Sequence, residues 1–115
     1  MRILFDHCVP KRLRRYLPAH ATKTTREMRW DKLANGALLD QAQSAFDVLL
    51  TVDQNIRYQQ TITGRPIALV VLVSPDTRLA ALVPLVPELD RILPTVLPGN
   101  VYEVRPPSPA LPPVP

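Results

Sequence analysis

The chain is poor in three residue types that usually announce a site. It has one cysteine, three glycines and two histidines in 115 residues. The single Cys8 excludes an internal disulfide and suits a reducing compartment. Gly36, Gly64 and Gly99 are too scattered to build a phosphate-cradling loop. His7, Cys8 and His20 do not make a zinc site, which takes four ligands or three plus water. Aromatic residues are also scarce, at 5%. The longest unbroken apolar run, Ile67–Val73, falls well short of the roughly 20 residues that cross a bilayer. A carboxylate already at Asp6 breaks any signal-peptide pattern. These absences predict a cytoplasmic protein with no membrane partner.

What is present is an alternation of apolar runs and amphipathic stretches, at an apolar content of 46% that supports one domain with a single core. Ile3–Phe5 reads as a buried first strand. Pro10 suits the first position of a helix, along which Val9, Leu13 and Leu17 recur at four-residue spacing until Pro18 stops it. The β-branched residues of His20–Thr25 predict a short second strand. Asn35-Gly36 reads as a turn, followed by a helix with Leu38, Leu39, Ala42 and Ala45 inward. Asp47–Asp53 is the third strand, with a short helical segment after it. Pro66–Val73 reads as the fourth and central strand because it carries no polar residue. Ser74-Pro75 reads as the cap and first residue of a helix with one apolar face from Leu79 to Leu93, which Pro84 and Pro87 must kink or divide. Val101–Val104 is the fifth strand.

This order, with crossovers of helical length, predicts an α/β fold: a three-layer α/β/α sandwich around a mainly parallel, five-stranded sheet. Residues 1–105 form the domain. Residues 106–115 hold six prolines and predict an extended, polyproline-like tail.

Charge is uneven. Residues 1–32 carry nine Lys/Arg against three Asp/Glu, and residues 33–115 carry five against seven. A basic lobe suits a polyanion or an acidic protein partner, although a solvated helix face carries the same residues. Strand one runs straight into Asp6 and strand three into Asp53. In open parallel sheets ligands sit beyond the carboxyl ends of the strands. Two carboxylates there can converge on a divalent cation, which polarises a phosphodiester and lowers the pKa of an attacking water. Each Asp taken singly can equally cap the turn that follows its strand. Cys8 reads as a small buried hydrophobe. A Cys8–His7 pair is disfavoured because neighbours on a strand point to opposite faces.

Three segments, ILFDHCVPKRLRRYL, WDKLANGALLDQA and FDVLLTVDQN, together resemble the signature segments of the PIN-like family of small bacterial proteins. That family is allied to the PIN-domain ribonucleases of toxin–antitoxin pairs. The resemblance spans residues 1–104 and leaves out the tail. It implies a parallel α/β/α sandwich, an acidic Mg²⁺ or Mn²⁺ pocket, hydrolysis of RNA, and neutralisation by a small antitoxin encoded beside the toxin. Asp6 and Asp53 match the acidic residues ending strands one and three. Asn55 stands where relatives often have a second carboxylate, Asn35 where many have Asp, and His7 where Glu is frequent. Three neutral residues at positions that can be anionic lower the expected metal affinity. Asp40, one turn beyond Asn35, is placed on the solvent face.

On this resemblance Asp6 and Asp53 are catalytic and, with Asn55 and Asn35, hold the metal. Lys11, Arg12, Arg14 and Arg15 hold phosphates without reading sequence. Tyr58 and Gln59 stack on or bond exposed bases. Trp30 is a partly buried anchor or a homodimer contact. The expectation is a divalent-metal-dependent ribonuclease acting as a toxin, with RNA and an antitoxin as partners. The alternative is a PIN-like module of weak or lost activity that binds RNA or a protein. A phosphoacceptor receiver domain is a third reading. It requires an acidic pair after strand one and a Lys after strand five, where this chain offers Asp6-His7 and VYEVRP.

Overall fold

The computed structural model describes residues 1–55 and 61–106. Tyr58, Gln59, most of the expected helix after the third strand and the tail beyond Pro106 lie outside the described residues. Five strands, β1 (Arg2–Phe5), β2 (Ala21–Thr24), β3 (Val48–Thr51), β4 (Ala68–Leu72) and β5 (Val101–Val104), form one sheet in the order β2-β1-β3-β4-β5. Every pairing is parallel. Alternate residues feed two cores, as a period of two requires. Ile3, Phe5, Val48, Leu50, Val70 and Leu72 enter one cluster, and Leu4, Leu49, Leu69 and Val71 enter the other.

The first face is covered by a 3₁₀ segment, Lys11–Tyr16, and by the run α2 (Leu79–Leu82), 3₁₀ turn Val83–Leu85, α3 (Val86–Ile92) and 3₁₀ turn Leu93–Thr95. The second is covered by α1 (Asn35–Ala42), together with Phe46, Ile62 and Ile67. The α/β/α sandwich expected from the sequence is therefore present. Among the described residues, no helix is long and apolar enough to cross a membrane.

Four local expectations are corrected. The helix expected after Pro10 is a six-residue 3₁₀ segment. It is squeezed between Pro10 and Pro18, and the residue before a proline avoids α geometry. Asn35-Gly36 is not a turn but the first two residues of α1. Ser74-Pro75 does not start a helix. Asp76 N–H donates to Ser74 Oγ at 3.2 Å and Arg78 N–H to Asp76 Oδ1 at 2.8 Å, so the segment is a turn, and α2 begins at Leu79. The central strand is β3, not β4. Both are flanked on two sides, and an unbroken apolar run reports burial rather than place in the order. Pro84 and Pro87 do divide the long helix, since each lacks a donor for the preceding turn.

The turn after β2 carries local strain. Trp30 N–H donates to Thr25 O at 2.8 Å and Arg29 N–H to Arg26 O at 3.0 Å, a helix-ending pattern that places Arg29 at a φ of 62°. An L side chain there costs on the order of 1 kcal/mol, which glycine avoids. Arg29→Gly is expected to raise stability by up to about 1 kcal/mol, partly offset by the greater freedom of the unfolded glycine chain. Urea unfolding with an unchanged or lower midpoint would show that the turn is not strained. Beside it, half-buried Trp30 meets Phe46 edge to face, with ring centroids 6.1 Å apart, and anchors this turn to the second core.

Candidate functional site

The strand order reverses direction between β1 and β3, because β1 connects outward to β2 and β3 outward to β4. This is the crevice in which doubly wound sheets bind ligands. The register pairs Phe5 with Leu50, so the next residues, Asp6 and Thr51, stand level at its mouth. Asp6 N–H donates to Leu50 O at 2.9 Å, extending the ladder by one step. β3 ends at Thr51, and Asp53 therefore lies two residues past the strand instead of at its end.

Asp6 is 1% exposed, yet both its carboxylate oxygens are engaged. Oδ1 accepts from His7 N–H at 2.8 Å and stands 3.0 Å from His7 Nδ1. Oδ2 accepts from the Thr51 hydroxyl at 2.8 Å and more weakly from the Cys8 thiol at 3.6 Å. A carboxylate offers about four lone-pair directions; three accept assigned donors, and the fourth is taken when His7 Nδ1 carries the proton. His7 and Cys8 both reach Asp6 because β1 stops at Phe5. They lie in a turn closed by Val9 N–H on Asp6 O at 2.9 Å, where strand alternation no longer applies. Burial pushes the Cys8 thiol up, with the Asp6 charge adding to it, which works against a thiolate.

Thr51 joins the two acidic positions. Its Oγ1 accepts from Asp53 N–H at 3.0 Å while donating to Asp6. Asp53 is half-buried, and its Oδ1 accepts from Asn55 N–H at 2.9 Å, which makes the pair a turn cap. The Asn55 side chain is in an exposed residue, and Asn35 is half-buried at the start of α1. Among the described residues, no three His, Cys, Asp or Glu stand close enough together to hold a metal ion. The oxygen donors suit a hard cation that keeps most of its waters. Asp6 Oδ1 becomes available if the His7 ring, 71% exposed, turns away.

A cleft of about 480 Å³ opens on the other side of Asp6, toward β2. Asp6, His7 and Lys11 form one wall, and Thr25, Arg26 and Asp31 the other. Thr25 is 2% exposed, and its Oγ1 has no hydrogen-bond partner among the described residues. A buried hydroxyl left so costs about 1–3 kcal/mol. None of Thr25, Arg26 and Asp31 was legible as a site residue in the sequence. The β-branched run pointed to a strand, and nothing local says which edge of the sheet faces the cleft.

Glu27 clamps the two walls. It accepts from both terminal nitrogens of Arg14 and from Thr24 N–H at 2.9 Å, while Lys11 Nζ lies 3.9 Å away. Lys11 and Arg14, expected to hold phosphates, are thus partly committed to Glu27. Arg12 and Arg15 are exposed and have no carboxylate partner among the described residues. Asp40 is on the solvent face, as expected, where it accepts from Arg65 at 2.7 Å.

The Arg14 guanidinium, and then Thr24 N–H, lower the Glu27 pKa from 4.5 to about 2. The unfolded chain therefore binds a proton first as pH falls. Stability from this clamp is complete above about pH 4.5 and lost as pH falls through about 2. Solvent screening limits it to about 1 kcal/mol. Glu27→Gln is expected to lose that amount at pH 7 and to flatten the acid limb of the stability curve, more at low salt than at high. An acid limb that matches wild type would rule the clamp out.

Comparison of the chain with protein families, curated proteins and solved structures finds no match.

Proposed function

We propose that the chain is a divalent-metal-dependent ribonuclease of the PIN-like type. The observation that carries this reading is a buried Asp6 carboxylate at the crevice between β1 and β3, linked by the Thr51 hydroxyl to the backbone N–H of Asp53. Asp6 and Asp53, with Asn55 and Asn35, would hold Mg²⁺ or Mn²⁺. When bound, the ion lowers the pKa of an attacking water and polarises the phosphodiester. Asp6 fixes the inner wall of the site because it is buried and hydrogen-bonded through both oxygens. Thr51 keeps the Asp53 backbone in step with it. Arg12 and Arg15 attract the RNA backbone by charge alone. The toxin role, and an antitoxin encoded by a neighbouring gene, rest on the likeness of the three sequence segments. Cleavage of single-stranded RNA is expected with either ion and is lost in chelator.

One observation favours a second reading, a module that binds RNA or a protein without turnover. Both Asp6 oxygens are already occupied by protein donors, so a cation must displace one. Calorimetry separates the two: RNA binding without any heat from Mn²⁺ supports the second and removes the first. A receiver domain has less support, since Arg105 stands where its Lys is required and pairs with Glu103 at 2.8 Å.

A further inference from the structure

We infer that the cleft between the ends of β1 and β2 seats one nucleotide of a single-stranded RNA, beside Asp6 and on the side away from Asp53. The inference rests on the ribonuclease reading for its substrate class, while its evidence is the cleft itself. At about 480 Å³ the cleft has the volume of a small-molecule site. Its chemistry is mixed in the way a nucleotide is mixed. Lys11 and Arg26 bring two cations for a phosphate. Val9 and Pro10 add an apolar surface for a sugar or base edge.

Thr25 is the most specific feature. Its hydroxyl is buried and unpartnered, although nearly every buried polar group in a folded protein finds a partner. It belongs to a residue that lines the cleft, and although the oxygen itself is covered, a small shift of the cleft wall on binding lets a ligand group complete it. The two walls are held at a fixed separation by Glu27, which ties Arg14 of the 3₁₀ segment to Thr24 at the end of β2. The spacing of the walls is therefore set before the ligand arrives. An acidic peptide fits less well. It would bring several carboxylates against Asp6 and Asp31, whereas a nucleotide brings one phosphate and otherwise neutral donors and acceptors.

The test is binding of a labelled single-stranded RNA decamer to the full chain in EDTA, with the variants Thr25→Val and Lys11→Gln/Arg26→Gln. The double variant is expected to bind at least tenfold more weakly. The slope of log K against log salt should fall by about 1.4, two contacts at roughly 0.7 each. Thr25→Val should bind several-fold more weakly while its thermal midpoint is unchanged or higher, an outcome that damage to the fold does not produce. Either variant binding as tightly as wild type overturns the proposal. So does a polyglutamate peptide that displaces the RNA as well as unlabelled RNA does. Loss of binding in both variants, in a protein that never cleaves RNA, removes the ribonuclease reading and leaves the nucleotide seat. Metal-dependent cleavage with binding unaltered in the variants has the opposite meaning.

Discussion

Asp6→Asn is expected to lower metal-dependent RNA cleavage by about a hundredfold or more, equivalent to roughly 2.7 kcal/mol of barrier, and to destabilise the fold by about 1–3 kcal/mol. The two effects have different origins. Activity falls because the substitution removes one of the only two carboxylates proposed to hold the cation. An amide keeps the shape but not the charge. Stability falls because the hydrogen-bond polarity around Asp6 admits no neutral copy. The amide oxygen can still accept from His7 N–H, as Oδ1 does at 2.8 Å. The amide nitrogen then faces Thr51, whose hydroxyl now donates to Oδ2 at 2.8 Å and accepts from Asp53 N–H at 3.0 Å. Thr51 would have to accept twice and leave its own proton only the weak contact with Cys8 Sγ at 3.6 Å. Cleavage rates at saturating Mn²⁺, together with urea midpoints, separate the two losses. A stable variant that cleaves like wild type would remove Asp6 from the site.

Asp6 was legible because a carboxylate at the end of an apolar run contradicts strand propensity, and such conflicts gather at functional places. The equivalence of Asp53 was only half right. Both residues follow parallel strands, but the pairing of Phe5 with Leu50 brings Asp6 level with Thr51. No feature of the sequence discloses register. The strand alternation that disfavours a Cys8–His7 pair ends where β1 ends, one residue before Asp6. The parallel sheet covered on both faces was legible from apolar and β-branched runs, down to the bounds of β5, but the strand order and the division of the expected single core into two clusters were not. The commitment of Arg14 to Glu27, thirteen positions away, was not. A charge pattern shows where cations are plentiful and says nothing of which are already paired.

Phe5→Ala is expected to cost about 3–5 kcal/mol, a large share of the 5–15 kcal/mol that holds a typical domain together. Phe5 is fully buried and the largest such side chain in the sheet. It sits on β1, which pairs with β2 at Thr24 and with β3 at Leu50. Its side chain belongs to the core cluster shared with Leu13 of the 3₁₀ segment and Leu82 of α2. The members of that cluster are anchored on separate elements, which limits collapse into the space that the ring leaves. The cost should therefore lie at the upper end of the range. Urea unfolding is expected to show a lower midpoint with an unchanged slope, because the surface exposed on unfolding barely alters. Val101→Ala, at a residue 39% exposed on edge strand β5, should change stability by less than about 0.5 kcal/mol. Cleavage by the Phe5 variant should fall with the folded fraction and recover in conditions that restore folding. The carboxylate network around Asp6 is built from the following turn and from Thr51, not from the ring. A Phe5 variant that is fully folded but inactive would show instead that the core sets the geometry of the site directly.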